Sequence, residues 1–307
     1  MPSLPILVQR YLAHRRQLGF SLDREYLLLP KLARFHQEVA PRQPLQTAVI
    51  LQWAVQPGTG CRTYYVKRLA MARSFARYCA VFDPRVQVPD YRLLGRGYER
   101  IVPHIYSSGE IRLILRRARA LPTYRSPLRP LTCETLFGLI ACTGLRVREA
   151  MRLGLADIDL DRGTLRVARS KFSPERVLPL HPSTVRALLR YRDARWQRHP
   201  FGERFFVGRS GRPLTCTRVH FDFRLLARGL VSNGARPLPR IHDLRHTFAT
   251  RHIARWNREG APVAHRLLLL SRYLGHQNLN DTWWYISADP AMLRLAAERF
   301  EHFHWGT

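Results

Sequence analysis

Arg146 and Glu149 are the first residues along the chain whose types and spacing could do chemistry on a phosphate. They lie in the segment TGLRVREA at 143–150. Gly144 interrupts a helical pattern and allows a new helix to begin near Arg146, and residues three apart share a helix face. A guanidinium at a helix start is well placed for a phosphate. Alone the signal is weak, because Arg–Glu pairs at this spacing are usually surface salt bridges.

Lys171 is the second candidate, and its residue type is unusual for this chain. The sequence has 51 lysines and arginines, and only Lys31, Lys67 and Lys171 are lysines. Arginine cannot readily give up a proton, whereas a desolvated lysine can. Lys171 lies in the turn SKFSP at 170–174, before a predicted strand, and is therefore a candidate general acid. Chance placement is the competing explanation.

The segment HDLRH at 242–246 holds two histidines and an arginine. His242, Arg245 and His246 are spaced i, i+3, i+4 and so share a helical face. Such groups are unfavourable neighbours unless an anion joins them, and a bound phosphate would do so. Zinc is the rival, but the zinc-hydrolase pattern has Glu after the first histidine, whereas this chain has Asp243. With no third ligand evident, we expect no metal; an ordinary histidine pair stays open.

The last candidate is a histidine–tyrosine pair. The segment LGH ends at His276, and Tyr285 follows nine residues later. A phenol is a poor nucleophile at its unperturbed pKa of about 10. The cationic arginines and histidines of the other segments could lower that pKa and activate the hydroxyl. By itself, Tyr285 is better explained as a buried aromatic beside the two preceding tryptophans.

Apolar periodicity predicts a mainly helical fold with one small antiparallel sheet. Helices are predicted over 4–40 with a break at Gly19, over 61–80, from Ser108, and over 182–198, 216–230, 240–256, 262–273, 278–286 and 289–302. Strands are predicted over 157–160, 164–169 and 176–180. The stretch 83–103 is rich in proline and glycine, which indicates a linker. We therefore expect two domains, 1–102 and 103–307.

The charge of the chain points to a polyanion partner. Its formal net charge is +29, and the basic residues are spread along the whole sequence. Nucleic acid would relieve the self-repulsion; an arginine-biased composition is the alternative. The predicted helix 61–80 has an apolar stripe and a basic side, so it is a candidate DNA-binding helix, or an ordinary solvated face. Its candidate DNA contacts are Arg62, Tyr64, Lys67, Arg68, Arg73 and Arg77.

Several classes of protein do not fit the sequence. The five cysteines are odd in number and form no CxxC pair, so neither a disulfide framework nor a thiolate zinc site is expected. No signal-peptide pattern opens the chain, and the longest apolar run is too short to span a bilayer. We expect a bacterial cytoplasmic protein without membrane association, close to the nucleoid when bound to DNA.

Together, the candidates resemble the tyrosine recombinase, or phage integrase, family in type and order. The matching segments are TGLRVREA, HDLRHTFAT at 242–250, and LGH with Tyr285 at the family spacing. The stretch LAMARSFARYC at 69–79 is similar to the family's helical core-binding domain. The resemblance covers nearly the whole chain. It implies a helical core-binding domain and an α+β catalytic domain that form a C-shaped clamp around double-stranded DNA.

The resemblance also implies how DNA would be cut. Arg146 and Arg245 would bind the non-bridging oxygens of the scissile phosphate, with Glu149 orienting the first arginine. Tyr285 would attack and form a 3′-phosphotyrosine. Neither metal nor ATP is implied, because the covalent link keeps the phosphodiester energy for rejoining.

Three further residues would handle protons and hydrogen bonds in such a reaction. Lys171 would protonate the leaving 5′-oxygen, His242 would assist proton transfer, and His276 would donate a hydrogen bond to the phosphate. The lysine turn departs from the family pattern, since it is often glycine-rich and here reads Ser-Lys-Phe-Ser-Pro. Lys171 is for this reason the least firmly matched residue of the set.

The expected assembly is a homotetramer on two DNA sites. The predicted helix 289–302 would dock on a neighbouring protomer, as in the family, with packing on its own domain as the alternative. The build is closer to Xer-type recombinases than to lambda-type integrases with an added arm-binding domain. Site-specific recombination, as in DNA integration or transposition of a mobile element, is the leading function. A type IB topoisomerase-like enzyme, a hairpin-forming resolvase and a DNA-binding regulator are the alternatives.

Overall fold

The chain folds into two compact units, Met1–Arg100 and Ile101–Thr307. The computed structural model describes residues 2–56, 58, 60–95, 97, 102–124, 126–169, 174–230, 238–260, 263–278 and 281–282. Lys171, Tyr285, most of the predicted helix 278–286 and the predicted helix 289–302 lie outside these ranges. Each unit has its own hydrophobic core.

The first unit is helical throughout its described elements. These are α1 (Leu4–Gln17), α2 (Glu25–Val39), α3 (Thr47–Val55) and α4 (Arg62–Ala80). Its core is formed by apolar side chains from all four helices, among them Leu7, Leu29, Ile50 and Phe75. Helix α3 was not predicted, because its nine residues are nearly all apolar and show no periodic polar face. Burial of Trp53 against the other helices is what specifies it.

The second unit combines helices with a three-stranded sheet. Its helices are α5 (Ser108–Arg119), α6 (Arg129–Thr143), α7 (Val147–Arg152), α8 (Pro182–Arg198), α9 (Cys216–Leu226), α10 (Ile241–Arg258) and α11 (Val263–Leu274). The antiparallel strands β1 (Ile158–Asp159), β2 (Thr164–Val167) and β3 (Arg176–Pro179) lie in that order. The predicted fold class, mainly helical with a small antiparallel sheet, is confirmed. Helix α9 is four residues shorter than predicted.

The apolar helix α6 is the centre of the second unit and packs against α5, α8 and α10. It ends at Gly144, whose φ of +65° is a left-handed conformation that favours glycine. An added Cβ there would lie 2.7 Å from Cδ1 of Phe248 on α10 and 3.0 Å from Cδ2 of Leu274 on α11. Gly144 is thus required both for its backbone angle and for the close approach of two helices. This turn directs the chain to Arg146, which precedes α7.

Replacing Gly144 with alanine should destabilise the second unit by about 1 to 3 kcal/mol, because the methyl group adds a clash to a strained φ. Denaturant unfolding would measure the change. Gly109→Ala is the matched control: its nearest neighbour is Ser107 Oγ at 3.7 Å, and it lies in α5. There alanine should be neutral or stabilise by up to about 1 kcal/mol. Equal effects at both positions would contradict this account of the turn.

Candidate active site

Arg146 and Glu149 form a fixed pair at the start of α7. One carboxylate oxygen of Glu149 accepts the backbone N–H of Arg146 at 3.0 Å, and the other accepts its guanidinium at 2.9 Å. The same guanidinium donates to the carbonyl of Gly275 at 3.1 Å. Arg146 is therefore held between α7 and the turn that follows α11. Its side chain keeps 30% of its surface exposed, so it can still be reached by a ligand.

Arg176, at the start of β3, was not identified from the sequence and is part of the same network. Its Nη2 lies 2.8 Å from a Glu149 oxygen, and its Nε donates to the Tyr273 carbonyl at 2.7 Å. Burial would raise the pKa of Glu149, but Arg176 and Arg146 outweigh burial and hold that pKa below its usual value. Two guanidinium groups share one carboxylate, so the cluster of these three side chains has a net positive charge.

Arg245 is the most deeply buried of the candidates that the structure describes, with 1% exposure. Its guanidinium donates to the carbonyls of Gly144 and Leu274, each at 2.8 Å. It also lies 2.7 Å from Nε2 of His276. The carbonyls satisfy donor groups without cancelling the positive charge. Arg245 thus joins the ends of α6 and α11 to α10 and keeps a charge in the interior.

His276 bridges Arg245 and Thr282. Its Nδ1 lies 2.7 Å from the Thr282 hydroxyl oxygen, and Thr282 is fully buried. Burial and the positive charges of Arg245 and Arg146 lower the pKa of His276 to about 3. The ring is therefore neutral near pH 7.

His242 lies in the first turn of α10, whose start is fixed by the buried Asp243. The Asp243 carboxylate accepts the backbone N–H of Arg240 at 2.9 Å and also binds its guanidinium. The rings of His242 and His246 meet edge to face with centroids 4.9 Å apart. His246 is buried, whereas His242 keeps solvent access on one side. Nevertheless, desolvation by the surrounding protein and the charges of Arg245 and Arg240 lower the pKa of His242 to about 4.

The structure thus brings together segments that are far apart in the sequence. Arg146, Glu149, Arg245 and His276 form one hydrogen-bonded network. His242 lies one helical turn before Arg245, and both arginines act on its pKa. Within the described ranges, no three histidine, cysteine, aspartate or glutamate side chains could hold a metal ion together. The positive charge and the N–H donor groups of this network suit a bound anion.

Residues 118–292 match the family model described as the phage integrase family, and this range spans every candidate from Arg146 to Tyr285. The match covers more than half of the chain. The chain belongs to the phage integrase family. These proteins, also called tyrosine recombinases, are enzymes that cleave and rejoin DNA strands.

Relatives of this chain align along most of its length. A Sinorhizobium fredii protein provisionally described as integrase/recombinase y4rB is 36% identical over 301 residues, covering 96% of each chain. Tyrosine recombinase XerC of Staphylococcus carnosus is 26% identical over 238 residues, covering 76% of this chain and 73% of that one.

Solved structures share the fold of this chain at low sequence identity. The Tn1549 transposon integrase in complex with a circular intermediate DNA superposes with a TM-score of 0.68 at 18% identity, covering 97% of this chain and all of that one. The XerH recombinase bound to palindromic difH superposes with a TM-score of 0.63 at 19% identity, covering 90% and 78%. These matches support the fold described above.

In the first unit, Arg68 does not fit its expected role as a DNA contact. It is 5% exposed, its guanidinium lies 3.9 Å above the Trp53 ring, and its Nη2 donates to the Trp53 carbonyl at 2.5 Å. A buried arginine held by its own domain cannot also reach a phosphate. The prediction for Arg68 is wrong, because the basic and apolar sides of α4 are less separate than the sequence pattern indicated.

The other α4 candidates differ in how exposed their side chains are and in whether they already bond within the unit. Lys67 and Arg77 are exposed. Arg62 and Arg73 donate to backbone carbonyls of the segment after α4, at 3.1 Å to Leu94 and 2.9 Å to Pro89. Tyr64 is half-buried, with its hydroxyl 3.5 Å from Arg68.

In the described ranges of both units, no helix is long and apolar enough to cross a membrane.

Arg176→Gln should destabilise the protein by about 2 to 3 kcal/mol, because it removes one partner of a buried ion pair. The matched control is Arg166→Gln on β2, whose side chain is 51% exposed and lies 3.0 Å from Asp157. An exposed pair contributes little, so the control should change stability by less than about 0.5 kcal/mol. Denaturant unfolding of both variants would test this. Similar losses in the two would show that Arg176 has no special structural role.

Proposed function

We propose that this protein is a site-specific recombinase that cleaves and rejoins DNA through a 3′-phosphotyrosine, with Tyr285 as the nucleophile. The supporting observation is the network of Arg146, Arg245 and His276, in which two arginines from distant segments converge. A phosphate is the anion that this donor set suits. Tyr285 follows His276 at the spacing typical of the family, and the family's shared chemistry supplies the reaction.

In this proposal Arg146 and Arg245 bind the non-bridging phosphate oxygens. Each guanidinium is held by several hydrogen bonds before any ligand arrives. Donors fixed in advance stabilise developing charge without having to reorganise during the reaction. Glu149 orients Arg146 and, because it is shared with Arg176, does not cancel the positive charge of the site.

The proposed cleavage step exchanges one bond at phosphorus and transfers two protons. The Tyr285 oxygen forms a bond to phosphorus while the bond to the 5′-oxygen breaks, and Lys171 protonates that leaving oxygen. His242, whose ring is neutral near pH 7, assists by accepting the phenol proton. His276 donates a hydrogen bond to the phosphate. The phosphotyrosine keeps the energy of the phosphodiester, so no metal or ATP is needed.

The partner in this proposal is double-stranded DNA. The net charge of +29 supports it, and the related Tn1549 and XerH structures are described as DNA complexes. We assign residues 1–102 as the core-binding domain and 103–307 as the catalytic domain. We extend the proposal to a homotetramer on two DNA sites, with the helix predicted over 289–302 docking on a neighbouring protomer.

Trapping the covalent intermediate tests the proposed reaction. The wild-type protein and Tyr285→Phe would be incubated without metal on labelled, nicked duplexes from the flanks of its own gene. The wild type should form a protein–DNA adduct on denaturing gels, and Tyr285→Phe should form none, because it lacks the attacking oxygen. Tyr124→Phe is the control. It removes the hydroxyl of a tyrosine that is 80% exposed, and this variant should form the adduct.

The outcomes separate the alternatives. DNA binding without an adduct in the wild type would contradict the recombinase and favour a DNA-binding regulator. An adduct followed only by plasmid relaxation would favour a type IB topoisomerase-like enzyme, and hairpin ends would favour a resolvase. Strand exchange between two sites would support the proposal.

Lys67→Gln on α4 tests the proposed role of the first unit. Removing one phosphate contact should weaken binding about equally for all sequences and reduce the slope of log K against log salt by about 1. Lys31→Gln removes the same charge from an exposed position on α2 and is the matched control. Titrations by fluorescence anisotropy at several salt concentrations would measure both. A larger effect of the Lys31 variant would exclude α4 as the DNA-binding helix.

A further inference from the structure

The ring of His276 has a hydrogen-bonding neighbour at each nitrogen. Nη2 of Arg245 lies 2.7 Å from Nε2, and the hydroxyl oxygen of Thr282 lies 2.7 Å from Nδ1. Thr282 is fully buried, so few other groups can satisfy its hydroxyl. Its position, three residues before Tyr285 in the sequence, places it in the segment that leads to the proposed nucleophile.

These contacts determine which nitrogen carries the proton. A guanidinium can only donate hydrogen bonds, so Nε2 must accept with its lone pair. In a neutral ring the proton is then on Nδ1 and is donated to the Thr282 oxygen. Burial and the positive charges of Arg245 and Arg146 disfavour a second proton, as the lowered pKa of His276 indicates. The unliganded site therefore holds the Nδ1–H tautomer.

The proposed function requires the opposite tautomer. To donate to a phosphate from Nε2, the ring must carry its proton there, and Nδ1 must then accept. A hydroxyl can act as acceptor or donor, so Thr282 can satisfy Nδ1 in both states by rotating its O–H bond. Valine, which has nearly the same shape as threonine, offers neither a donor nor an acceptor.

We propose that Thr282 is a positioning residue that orients the His276 ring and allows it to change tautomer when a phosphate takes the place of the ring's contact with Arg245. One proton leaves Nδ1 for solvent and one from solvent binds Nε2, so the charge of the ring is unchanged. His276 itself is only partly buried. The inference rests on the proposed role of His276 toward the phosphate.

The first test compares Thr282→Val, which keeps the shape but loses the hydroxyl, with Thr282→Ser, which keeps the hydroxyl. Single-turnover adduct formation would be measured on the nicked duplex that traps the wild type. The valine variant should be slower by about 10- to 100-fold, the loss found when the partners that orient metal-ligating histidines are removed. The serine variant should stay within about 3-fold of wild type if the hydroxyl is what matters. Equal rates for valine and wild type would overturn the proposal.

A second buried threonine controls for the loss of a hydroxyl as such. Thr132 is buried in α6, and its hydroxyl donates to the carbonyl of Leu128, the residue that precedes this helix. Thr132→Val should leave the rate of adduct formation unchanged. A rate loss matching that of Thr282→Val would overturn the proposal, because it would trace the effect to general destabilisation.

A double-variant cycle tests whether Thr282 acts through His276. In a His276→Gln background, adding Thr282→Val should slow adduct formation by no more than about 2-fold, because the ring it serves is gone. A full additional loss in that background would overturn the proposal, since Thr282 would then act independently of His276.

Nitrogen-15 NMR of histidine-labelled full-length protein tests the tautomer without DNA. The His276 signals, assigned by their loss in His276→Gln, should show a protonated Nδ1 and an unprotonated Nε2. The reverse pattern would overturn the proposal. This readout is independent of DNA cleavage. A wild type that forms no adduct would contradict the proposed function, whereas the NMR spectrum alone decides the resting tautomer.

Discussion

The site depends on the burial of one guanidinium, that of Arg245. A charge in the interior is costly unless it is well hydrogen-bonded. Here the required acceptors are carbonyls exposed at the ends of α6 and α11, which no longer bond within their helices. The positive φ of Gly144 turns the first of these ends toward Arg245. Three elements are thus oriented by the need to satisfy one side chain, and that side chain is left rigid.

The same burial sets the electrostatic state of the surrounding groups. Desolvation, together with the charges of Arg245 and Arg146, makes a charged imidazole unfavourable here and lowers the pKa values of His242 and His276 to about 4 and about 3. Glu149 is the carboxylate that holds Arg146, and its sharing with Arg176 keeps the cluster positive. The site is therefore built around an uncompensated positive charge with neutral histidines beside it, which is an arrangement suited to phosphoryl transfer.

Arginine has two separate uses in this protein, and composition cannot distinguish them. Arg68 is stacked on Trp53 and bound to a carbonyl inside the first unit, so it contributes to folding. Lys67, its neighbour in sequence, is exposed and free to meet a polyanion. The guanidinium group suits both uses because its flat face stacks on aromatic rings while its edge donates hydrogen bonds. The net charge of +29 is therefore an upper limit on the positive charge available to a polyanion, because part of it belongs to arginines buried in the fold.

Local spacing and periodicity were enough to predict the residue types of the site, their order, the i, i+3 pairing of Arg146 with Glu149 and the mainly helical fold. Tertiary structure decided which distant groups meet. Arg176 could be placed on a strand, but its contact with Glu149 depends on how β3 packs beside α7, and the role of Thr282 depends on a ring six residues away. Helix α3 and the burial of Arg68 likewise depend on packing between helices. Local pattern specifies an element, whereas the partner of a side chain is set by the free energy of the whole fold.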